Sequence, residues 1–312
     1  MFSSDQILKI EKEISSKVDG KTLFDEFSRG RYSTDASVYQ IKPIGVVLPK
    51  DTNDVLNVME YSQKNSIPLL ARGGGSSQCG QTVGESLVLD YSRHQNKILN
   101  LNVDEKSVWV EPGVVLDHLN AYLKPYGLWF PVDVSTSSRA TIGGMSANNS
   151  CGSRSLYYGN MVHNVLAIET ILDDGSIHTF DEIQKNYLAQ KNNQDRFYKI
   201  IDKFIDLRQR VGAEIDENWP TTQRRVGGYN IDLIDPNGFN SSNILVGSEG
   251  TLSLFNKIKL KLSEIPKSKI LGVCYFDNFH QAMELTKEIV KLKPTCVELM
   301  DQNLFNLARE IP

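Results

Sequence analysis

Apolar residues at the start of the chain are spaced as on one face of a helix. They recur at helical intervals, with charged residues between them, at Ile7, Leu8, Ile10 and Ile14. From Pro43 onward, short apolar runs predict strands at 45–48, 69–71 and 86–90. Thr52 is expected to cap a helix after the first run. We therefore predict an N-terminal helical segment over 1–42 and a small α/β unit over about 43–92.

A second unit is predicted over about 98–265. Apolar runs predict strands at 108–111, 165–172, 177–180, 244–247 and 258–262. Helical spacing is found at Val115, Leu116, Leu119 and Leu123. Residues 131–158 are rich in Gly, Ser, Thr and Asn, which predicts a long loop of the kind that more often has a function. The polar stretch 211–225 is expected to be irregular.

The last part of the chain, 266–312, has its own pattern. A strand is predicted at 270–276, an amphipathic helix after it, and a second strand at 295–299. A strand–helix–strand of this size does not easily bury both of its faces by itself. We therefore expect 266–312 to be the beginning of a larger α+β domain.

Composition narrows the class of protein. The chain has 312 residues and a net charge of −4, so a nucleic-acid partner is not expected. No run of about 18 apolar residues predicts a membrane span, and the N-terminus lacks a signal-peptide pattern. Four cysteines form no CxxC pair, which argues against a metal site, an iron–sulfur site and a disulfide framework. A cytoplasmic location fits best, with peripheral membrane attachment as the alternative.

The strand at 69–71 leads into a glycine-rich segment, Arg72-Gly73-Gly74-Gly75-Ser76-Ser77. Successive backbone amides in such a segment can converge on an anion, as in a nest. A loose turn of small residues explains the segment equally well. No helix pattern follows directly, so the usual GxGxxG dinucleotide motif is not present.

Three further segments are rich in Gly and in hydrogen-bonding side chains. They are 131–145 with its Thr141-Ile142-Gly143-Gly144 sequence, 148–159 with its Asn-rich start and Tyr158-Gly159 end, and 247–252 with Ser248-Glu249-Gly250-Thr251. Hydroxyl and amide donors suit a pyrophosphate and the polar edge of a ring. Taken singly, each segment is also explained by a solvated loop or a turn.

In this order, the four segments resemble the FAD-binding domain of the vanillyl-alcohol oxidase and p-cresol methylhydroxylase (PCMH-type) family. The resemblance extends from about residue 32 to the end of the chain. Within the family, the likeness is to FAD-linked dehydrogenases of D-2-hydroxy acids that are fused to an iron–sulfur domain. It rests on Tyr32-Ser33-Thr34-Asp35-Ala36-Ser37, Ser92-Arg93-His94, Ser135-Thr136-Ser137, Arg224-Arg225-Val226-Gly227-Gly228-Tyr229-Asn230 and Val297-Glu298-Leu299.

The resemblance implies an α+β fold: a PCMH-type FAD-binding domain over 43–265, made of two α/β subdomains (about 43–92 and 98–265), and the start of an α+β cap domain over 266–312. It also implies which residues hold FAD. These are Arg72, Gly73, Gly74, Gly75, Ser76, Ser77, Gly80, Pro131, Asp133, Ser135, Ser137, Thr141, Ile142, Gly143, Gly144, Asn148, Ser150, Gly152, Ser153, Tyr158, Val165, Glu249, Gly250 and Thr251. Ser76 stands where some relatives attach FAD through a histidine, so non-covalent FAD is expected.

The implied activity is oxidation of a D-2-hydroxy acid such as lactate, glycolate or 2-hydroxyglutarate. FAD would accept the hydride, and an iron–sulfur or other electron-acceptor partner would take the electrons. Arg224 or Arg225 is a candidate for the substrate anion, although a surface arginine pair is the more common outcome. His94 and His163 are expected to be structural, so no catalytic base is assigned.

Two alternatives stay open. Relatives in the family extend beyond this chain's last residue and carry substrate and metal ligands there, which implies that the chain is one piece of an enzyme. It would then be a flavin-binding module that needs a partner chain. The second alternative is the family's NADPH-dependent reductase of a UDP-sugar, which shares the early glycine loop but fits the segment 224–230 poorly.

Overall fold

The computed structural model describes residues 2–184 and 195–311. Its first sheet has four strands, β1 (Lys21–Leu23), β2 (Gly45–Leu48), β3 (Leu69–Arg72) and β4 (Leu87–Asp90), in the order β1-β2-β4-β3. β4 runs parallel to β2 and β3, while β1 pairs antiparallel with β2. The helix Thr52–Lys64 connects β2 to β3, as the sequence predicts for an α/β unit.

The first 42 residues are not only helical. They form the helices Ser4–Ser15 and Glu26–Arg31, but between them β1 joins the first sheet as an edge strand. The cap of the next helix also differs from our expectation: Asp51, not Thr52, accepts hydrogen bonds from the amides of Asn53 and Asp54. A carboxylate at this position satisfies two helix amides at once.

The second sheet has five antiparallel strands. These are β5 (Ile98–Asn102), β6 (Ser107–Val110), β8 (Val165–Ile171), β9 (Ile177–Phe180) and β12 (Leu254–Lys261). Their order is β5-β6-β12-β8-β9, so β12 fills the centre between two strands that precede it by many residues. Two small pairs complete the strands: β7 (Leu128–Trp129) with β13 (Ser263–Glu264), and β10 (Glu182–Gln184) with β11 (Gly238–Asn240).

Two main apolar clusters pack these elements together. The larger cluster joins the second sheet to the helix Leu116–Leu123 and includes Val110, Leu119, Phe130, Ile168 and Ile258. The smaller cluster joins the first sheet to the helices Ser4–Ser15 and Thr52–Lys64. Together these mixed sheets and helices confirm the predicted α+β class, while the domain boundaries stay predictions.

Three local predictions in the second unit are wrong. The helix Ile142–Asn148 begins inside the segment expected to be a long loop, the helix Arg196–Asn218 includes most of 211–225, and the helix Ser242–Leu245 replaces a predicted strand. In the second case, an apolar face was hidden among charged residues: Ile201, Ile205 and Ile215 are buried. The short helices Ser155–Tyr158 and Met161–Asn164 complete this unit.

Residues 266–311 contain the expected helix, Phe279–Lys291, and a second helix, Gln302–Glu310. The strands predicted at 270–276 and 295–299 are wrong, since neither stretch is paired in the described structure. A strand needs a neighbour for its backbone hydrogen bonds, and these residues are mostly exposed. None of the helices in the described residues has both the length and the apolar character needed to cross a bilayer.

Candidate cofactor site

A cavity of about 760 Å³ lies at the junction of the two sheets, within the size range of cofactor sites. Its wall begins at β3, continues through the glycine-rich segment, and includes the start of the helix Ile142–Asn148. The rest of the lining includes the loops around 133–136, 150–153 and 249–250. The other three segments singled out in the sequence therefore line the same cavity as the glycine-rich segment.

The glycine-rich segment presents a row of unused backbone donors. The amides of residues 73–77 have no acceptor among the described residues, and Gly75 has a φ of +63°. Residues 73–77 all line the cavity. A row of amides that turns through a left-handed residue forms an anion-binding concavity, so this segment is built to receive a phosphate or a similar anion.

Two of the glycines are required by the protein itself. A Cβ on Gly73 would lie 2.0 Å from Thr141 Oγ1, and one on Gly74 would lie 2.2 Å from the carbonyl oxygen of Arg139. Close packing, against the Thr141 side chain at Gly73 and against backbone at Gly74, explains these two positions, and not a positive φ. The glycines keep the anion-binding loop pressed against the loop that precedes the helix Ile142–Asn148.

The guanidinium of Arg72 connects the start of the same loop to neighbouring backbone segments. It donates to the carbonyl oxygens of Tyr32 at 3.2 Å, Thr82 at 2.9 Å and Thr34 at 2.8 Å. It also lies 5.2 Å from the ring centroid of Tyr32. Burial lowers the pKa of Arg72, while nearby Asp90 acts in the opposite direction. Much of its hydrogen-bonding capacity is thus used inside the protein.

The backbone amides of Ile142, Gly143 and Gly144 are already hydrogen-bonded within the protein, so the Thr-Ile-Gly-Gly sequence offers no free amide there. The amide of Ile142 donates to the carbonyl of Val114 at 2.8 Å, that of Gly143 to Pro112 at 2.8 Å, and that of Gly144 to Thr141 Oγ1 at 3.3 Å. These bonds satisfy the first amides of the helix Ile142–Asn148. A Cβ on Gly143 would lie 2.6 Å from Pro112 Cβ, so this glycine lets the start of the helix pack closely against Pro112.

Asp133 fixes the loop at residues 152–154. Its carboxylate accepts hydrogen bonds from Ser153 Oγ and from the amide of Arg154, both at 3.1 Å. The guanidinium of Arg154 lies 3.8 Å from it. A Cβ on Gly152 would meet the carbonyl oxygen of Asp133 at 2.0 Å. Asp133 is therefore a positioning residue for 152–154 as well as part of the cavity wall.

Glu249 joins the last segment to the cavity rim. Its carboxylate accepts from Asn148 Nδ2 at 2.8 Å and from Gln81 Nε2 at 3.5 Å. Partial burial raises the pKa of Glu249, while the two hydrogen bonds act in the opposite direction. The backbone of Glu249 is left-handed, with a φ of +51°. The carboxyl is thus held at the rim by two amide side chains, with no cation among these contacts.

Most of the site residues expected from the sequence line this cavity. They are Arg72, Gly73, Gly74, Gly75, Ser76, Ser77, Asp133, Ser135, Thr141, Gly143, Gly144, Asn148, Ser150, Gly152, Ser153, Glu249 and Gly250. The others are not among its lining residues: Gly80, Pro131, Ser137, Ile142, Tyr158, Val165 and Thr251. Gly80, for example, packs against the ring of Tyr39, and Tyr158 packs against Trp129.

The structure does not bring Arg225 to the cavity. Its guanidinium pairs with Asp232 at 2.6 Å and lies 5.2 Å from the ring of Trp219. Only its neighbour Val226 lines the cavity. The expectation that Arg225 meets the substrate anion is therefore not supported, because its charge is already compensated. Arg224 donates to the carbonyl oxygen of Gly152 at 3.0 Å, so it too has a role within the protein.

Several lining residues were not expected from the sequence. Cys79, Cys151, Tyr91 and Glu298 all face the cavity, and Glu298 comes from the segment 266–312. None of the five histidines is among the lining residues. Within residues 2–184 and 195–311, no three His, Cys, Asp or Glu side chains are arranged to hold a metal ion. The one sequence signal for Tyr91 was an aromatic residue directly after the strand predicted at 86–90.

Comparison with known proteins gives this geometry its context. Residues 43–181 match the family described as an FAD binding domain. In these residues the chain is similar to that FAD-binding family. D-2-hydroxyglutarate dehydrogenase of Escherichia coli (strain K12) is 34% identical to the chain over 301 residues, which are 93% of this chain and 29% of that protein. Glycolate oxidase subunit GlcD of Bacillus subtilis (strain 168) is 28% identical, over 95% of this chain and 54% of that protein.

A solved structure of alkyldihydroxyacetonephosphate synthase has the same fold. It superposes with a TM-score of 0.63 at 18% identity and covers 95% of this chain and 47% of that one. The chain thus spans less than a third of the E. coli dehydrogenase and about half of the glycolate oxidase subunit. The PCMH-type resemblance and its FAD cofactor are confirmed, and covalent attachment of the flavin is not indicated.

The residues of the FAD-binding domain suit that cofactor. FAD is an anionic pyrophosphate between two ring systems, and the cavity offers the unused amides of residues 73–77 to an anionic group. Its volume of about 760 Å³ is within the range of cofactor sites. The donor set and the volume therefore fit this cofactor.

Proposed function

We propose that this chain supplies the FAD site of an oxidoreductase that oxidises a D-2-hydroxy acid. The observation that supports it most is the row of unused amides at residues 73–77 beside a cavity of dinucleotide size. The names of the relatives, D-2-hydroxyglutarate dehydrogenase, glycolate oxidase subunit and D-lactate dehydrogenase, support the substrate class.

When bound, FAD supplies the two-electron chemistry, accepting a hydride from the carbon that carries the hydroxyl group. The protein residues bind and orient. The amides of 73–77 would hold the pyrophosphate. Asp133 keeps the loop 152–154 in place, and Glu249 is held beside the cavity by Asn148 and Gln81. Since the guanidinium of Arg225 is paired with Asp232, we assign it no part in substrate binding.

We also propose the setting of the reaction. The electrons pass from the flavin to an iron–sulfur or other acceptor partner, and the protein acts in the cytoplasm or at the membrane surface. The chain's formal charge of −4 is compatible with these settings and does not favour nucleic acid. The substrate is a small 2-hydroxy acid. The experiment below distinguishes lactate, glycolate and 2-hydroxyglutarate.

A second candidate is a flavin-binding module that turns over only with a partner chain. The observation that favours it is the exposure of large apolar side chains in the segment 266–311, among them Ile270, Tyr275, Phe279, Leu292 and Ile311. Exposed apolar patches of this kind mark surfaces that bind other proteins or domains. On this hypothesis FAD binds normally, and hydride transfer waits for the partner to hold the substrate in reach.

One experiment separates the candidates. The purified protein is reconstituted with FAD, its visible spectrum is recorded, and D-2-hydroxyglutarate, D-lactate or glycolate is added without oxygen. Bleaching of the flavin by glycolate, which is achiral, or by a D-acid but not by the matching L-acid supports the oxidoreductase, with turnover of about 1 per second or more for an ordinary enzyme. A bound flavin that no substrate bleaches favours the module. Failure to bind FAD contradicts both.

A further inference from the structure

Residues 226–229 form a flap at the edge of the cavity. Val226 lines the cavity and is also 38% exposed, so it lies where the cavity opens to solvent. Directly before the flap, Arg224 donates to the carbonyl oxygen of Gly152 at 3.0 Å, and Gly152 belongs to one of the loops that line the cavity. The flap therefore follows a direct contact with the cavity lining.

One hydrogen bond holds the far end of the flap. The hydroxyl oxygens of Tyr229 and Thr251 are 2.8 Å apart. Thr251 donates its own hydrogen to the carbonyl oxygen of Ser248 at 2.5 Å, so Tyr229 is the donor in the bond between the two hydroxyls. Thr251 directly follows Gly250, which lines the cavity. Because Tyr229 is 42% exposed, water can compete for this bond.

The residues on either side of the flap are fixed by the rest of the protein. Before the flap, Arg225 pairs with Asp232 at 2.6 Å. After it, the buried Asn230 donates from its side chain to the carbonyl oxygen of Val246 at 2.8 Å. Any movement of the flap is therefore confined to residues 226–229.

The interior of the flap has few contacts. A Cβ on Gly227 or on Gly228 would meet nothing within 4 Å, and Gly228 is left-handed with a φ of +79°. In the part of the chain that the structure describes, the amides of 226–229 donate to no other backbone group. Few packing contacts and exposed hydrogen bonds are what make local opening inexpensive, and loop residues between fixed elements absorb the change in φ and ψ.

Other segments that border the cavity are held more tightly. Gly74 is packed against the backbone of Arg139. Asp133 holds the loop 152–154 with two hydrogen bonds, and Glu249 accepts from two amide side chains. Compared with these segments, the flap is the least restrained, so its opening costs the least free energy.

We propose that the flap is a gate through which FAD enters and leaves the cavity, and that the bond from Tyr229 to Thr251 is its latch. The inference rests on the proposed FAD site and adds to it a step that controls exchange of the cofactor. When the latch breaks, rotation within the flap moves Val226 away from the cavity, while Arg225 and Asn230 stay in place. Because the latch joins two protein groups, its loss favours the open flap equally in the free and the FAD-loaded protein.

The test removes the latch alone. Association of FAD with Tyr229→Phe is followed by stopped-flow flavin fluorescence, and dissociation by trapping the released FAD with an excess of another FAD-free flavoprotein. We expect both rate constants to rise about 2- to 10-fold, the usual effect of losing one neutral hydrogen bond, with an unchanged Kd for FAD. The matched control is Tyr275→Phe, which should exchange FAD as the wild type does, because Tyr275 is 91% exposed and lies outside the cavity lining.

A second variant breaks the same bond from its other side. Thr251→Val should also speed both entry and release of FAD. In the Thr251→Val background, Tyr229→Phe should add no further increase, because two residues that act through one bond are not additive. Additive increases would show that Tyr229 does not act through Thr251 and would overturn the latch.

The remaining outcomes separate this proposal from the proposed function. Unchanged rates in Tyr229→Phe overturn the gate. Faster release without faster entry shows that Tyr229 stabilises bound FAD itself, which also overturns the gate. In both cases the wild type still binds FAD, so the proposed function stands. A wild type that binds no FAD overturns the proposed function and the gate together.

Discussion

Gly74 packs against the carbonyl oxygen of Arg139 so closely that a Cβ on Gly74 would lie 2.2 Å from it. The neighbouring atom is backbone, which cannot turn aside as a flexible side chain would. This contact joins the glycine-rich segment to the loop before the helix Ile142–Asn148, and both form walls of the cavity. Gly74 is therefore needed for packing within the protein, and this packing shapes the FAD site.

We expect Gly74→Ala to destabilise the protein by about 1–3 kcal/mol, the usual cost of overpacking, and to weaken FAD binding as the two loops separate. Urea unfolding and FAD titration measure the two effects. Gly227→Ala is the matched control, because a Cβ there meets nothing within 4 Å. Equal stability of Gly74→Ala and the wild type would show that the two loops are not in firm contact.

FAD should be held without a covalent bond. Ser76 occupies the glycine-rich loop where a histidine link would form, and none of the five histidines lines the cavity. Acid precipitation of the FAD-loaded protein should leave all of the yellow colour in the supernatant. Flavin that stays in the washed pellet would contradict the expectation, and Cys79 and Cys151, which both line the cavity, would then be tested by substitution.

Arg225→Ala should lower stability without changing FAD affinity. The guanidinium is paired with Asp232 at 2.6 Å, and removing one partner leaves the other charge unpaired, at a cost of about 1–3 kcal/mol. Asp232→Asn should have a similar effect, and the double variant should lose less than the sum of the two. Additive losses in unfolding experiments, or a large loss of FAD affinity, would show that Arg225 acts elsewhere.

Glu249 should make stability depend on pH. Its pKa is raised on folding from the ordinary value of 4.5, so the folded protein binds more protons here than the unfolded chain between pH 4.5 and the raised pKa. Stability is therefore lost as pH rises through this range. Glu249→Gln should be more stable relative to the wild type at pH 7.5 than at pH 4. Melting curves at both values test this, with Glu60→Gln as control; an identical difference at the two pH values would contradict it.

Much of the fold was predictable, because short buried strands and amphipathic helices have distinct periods. The runs at β2, β3, β4 and β8 illustrate this. The helix Ile142–Asn148 was not predictable in the same way. Its sequence is rich in Gly and Ser, and its first amides are satisfied by Val114 and Pro112, residues distant in sequence. Likewise, the apolar runs at 270–276 and 295–299 have strand character, but a strand depends on a neighbour that sequence does not supply.

The candidate site was predictable at the level of segments. Gly-rich loops after strands identify where a backbone can approach an anion. The state of each donor was not predictable: the amides of residues 73–77 are unused, whereas those of Ile142 and Gly143 are already bonded. The same holds for Arg225, whose pairing with Asp232 is a fact of three-dimensional packing.

The central position of β12 has a consequence for synthesis on the ribosome. β6 and β8 are made early, yet neither pairs with the other, because β12 lies between them. Until residues 254–261 emerge, each presents an open edge that can pair with other chains. Contacts over so long a stretch also slow folding. A nascent chain halted before β12 should therefore bind chaperones and fail to retain FAD. Once β12 has emerged, chaperone binding should fall and FAD should be retained.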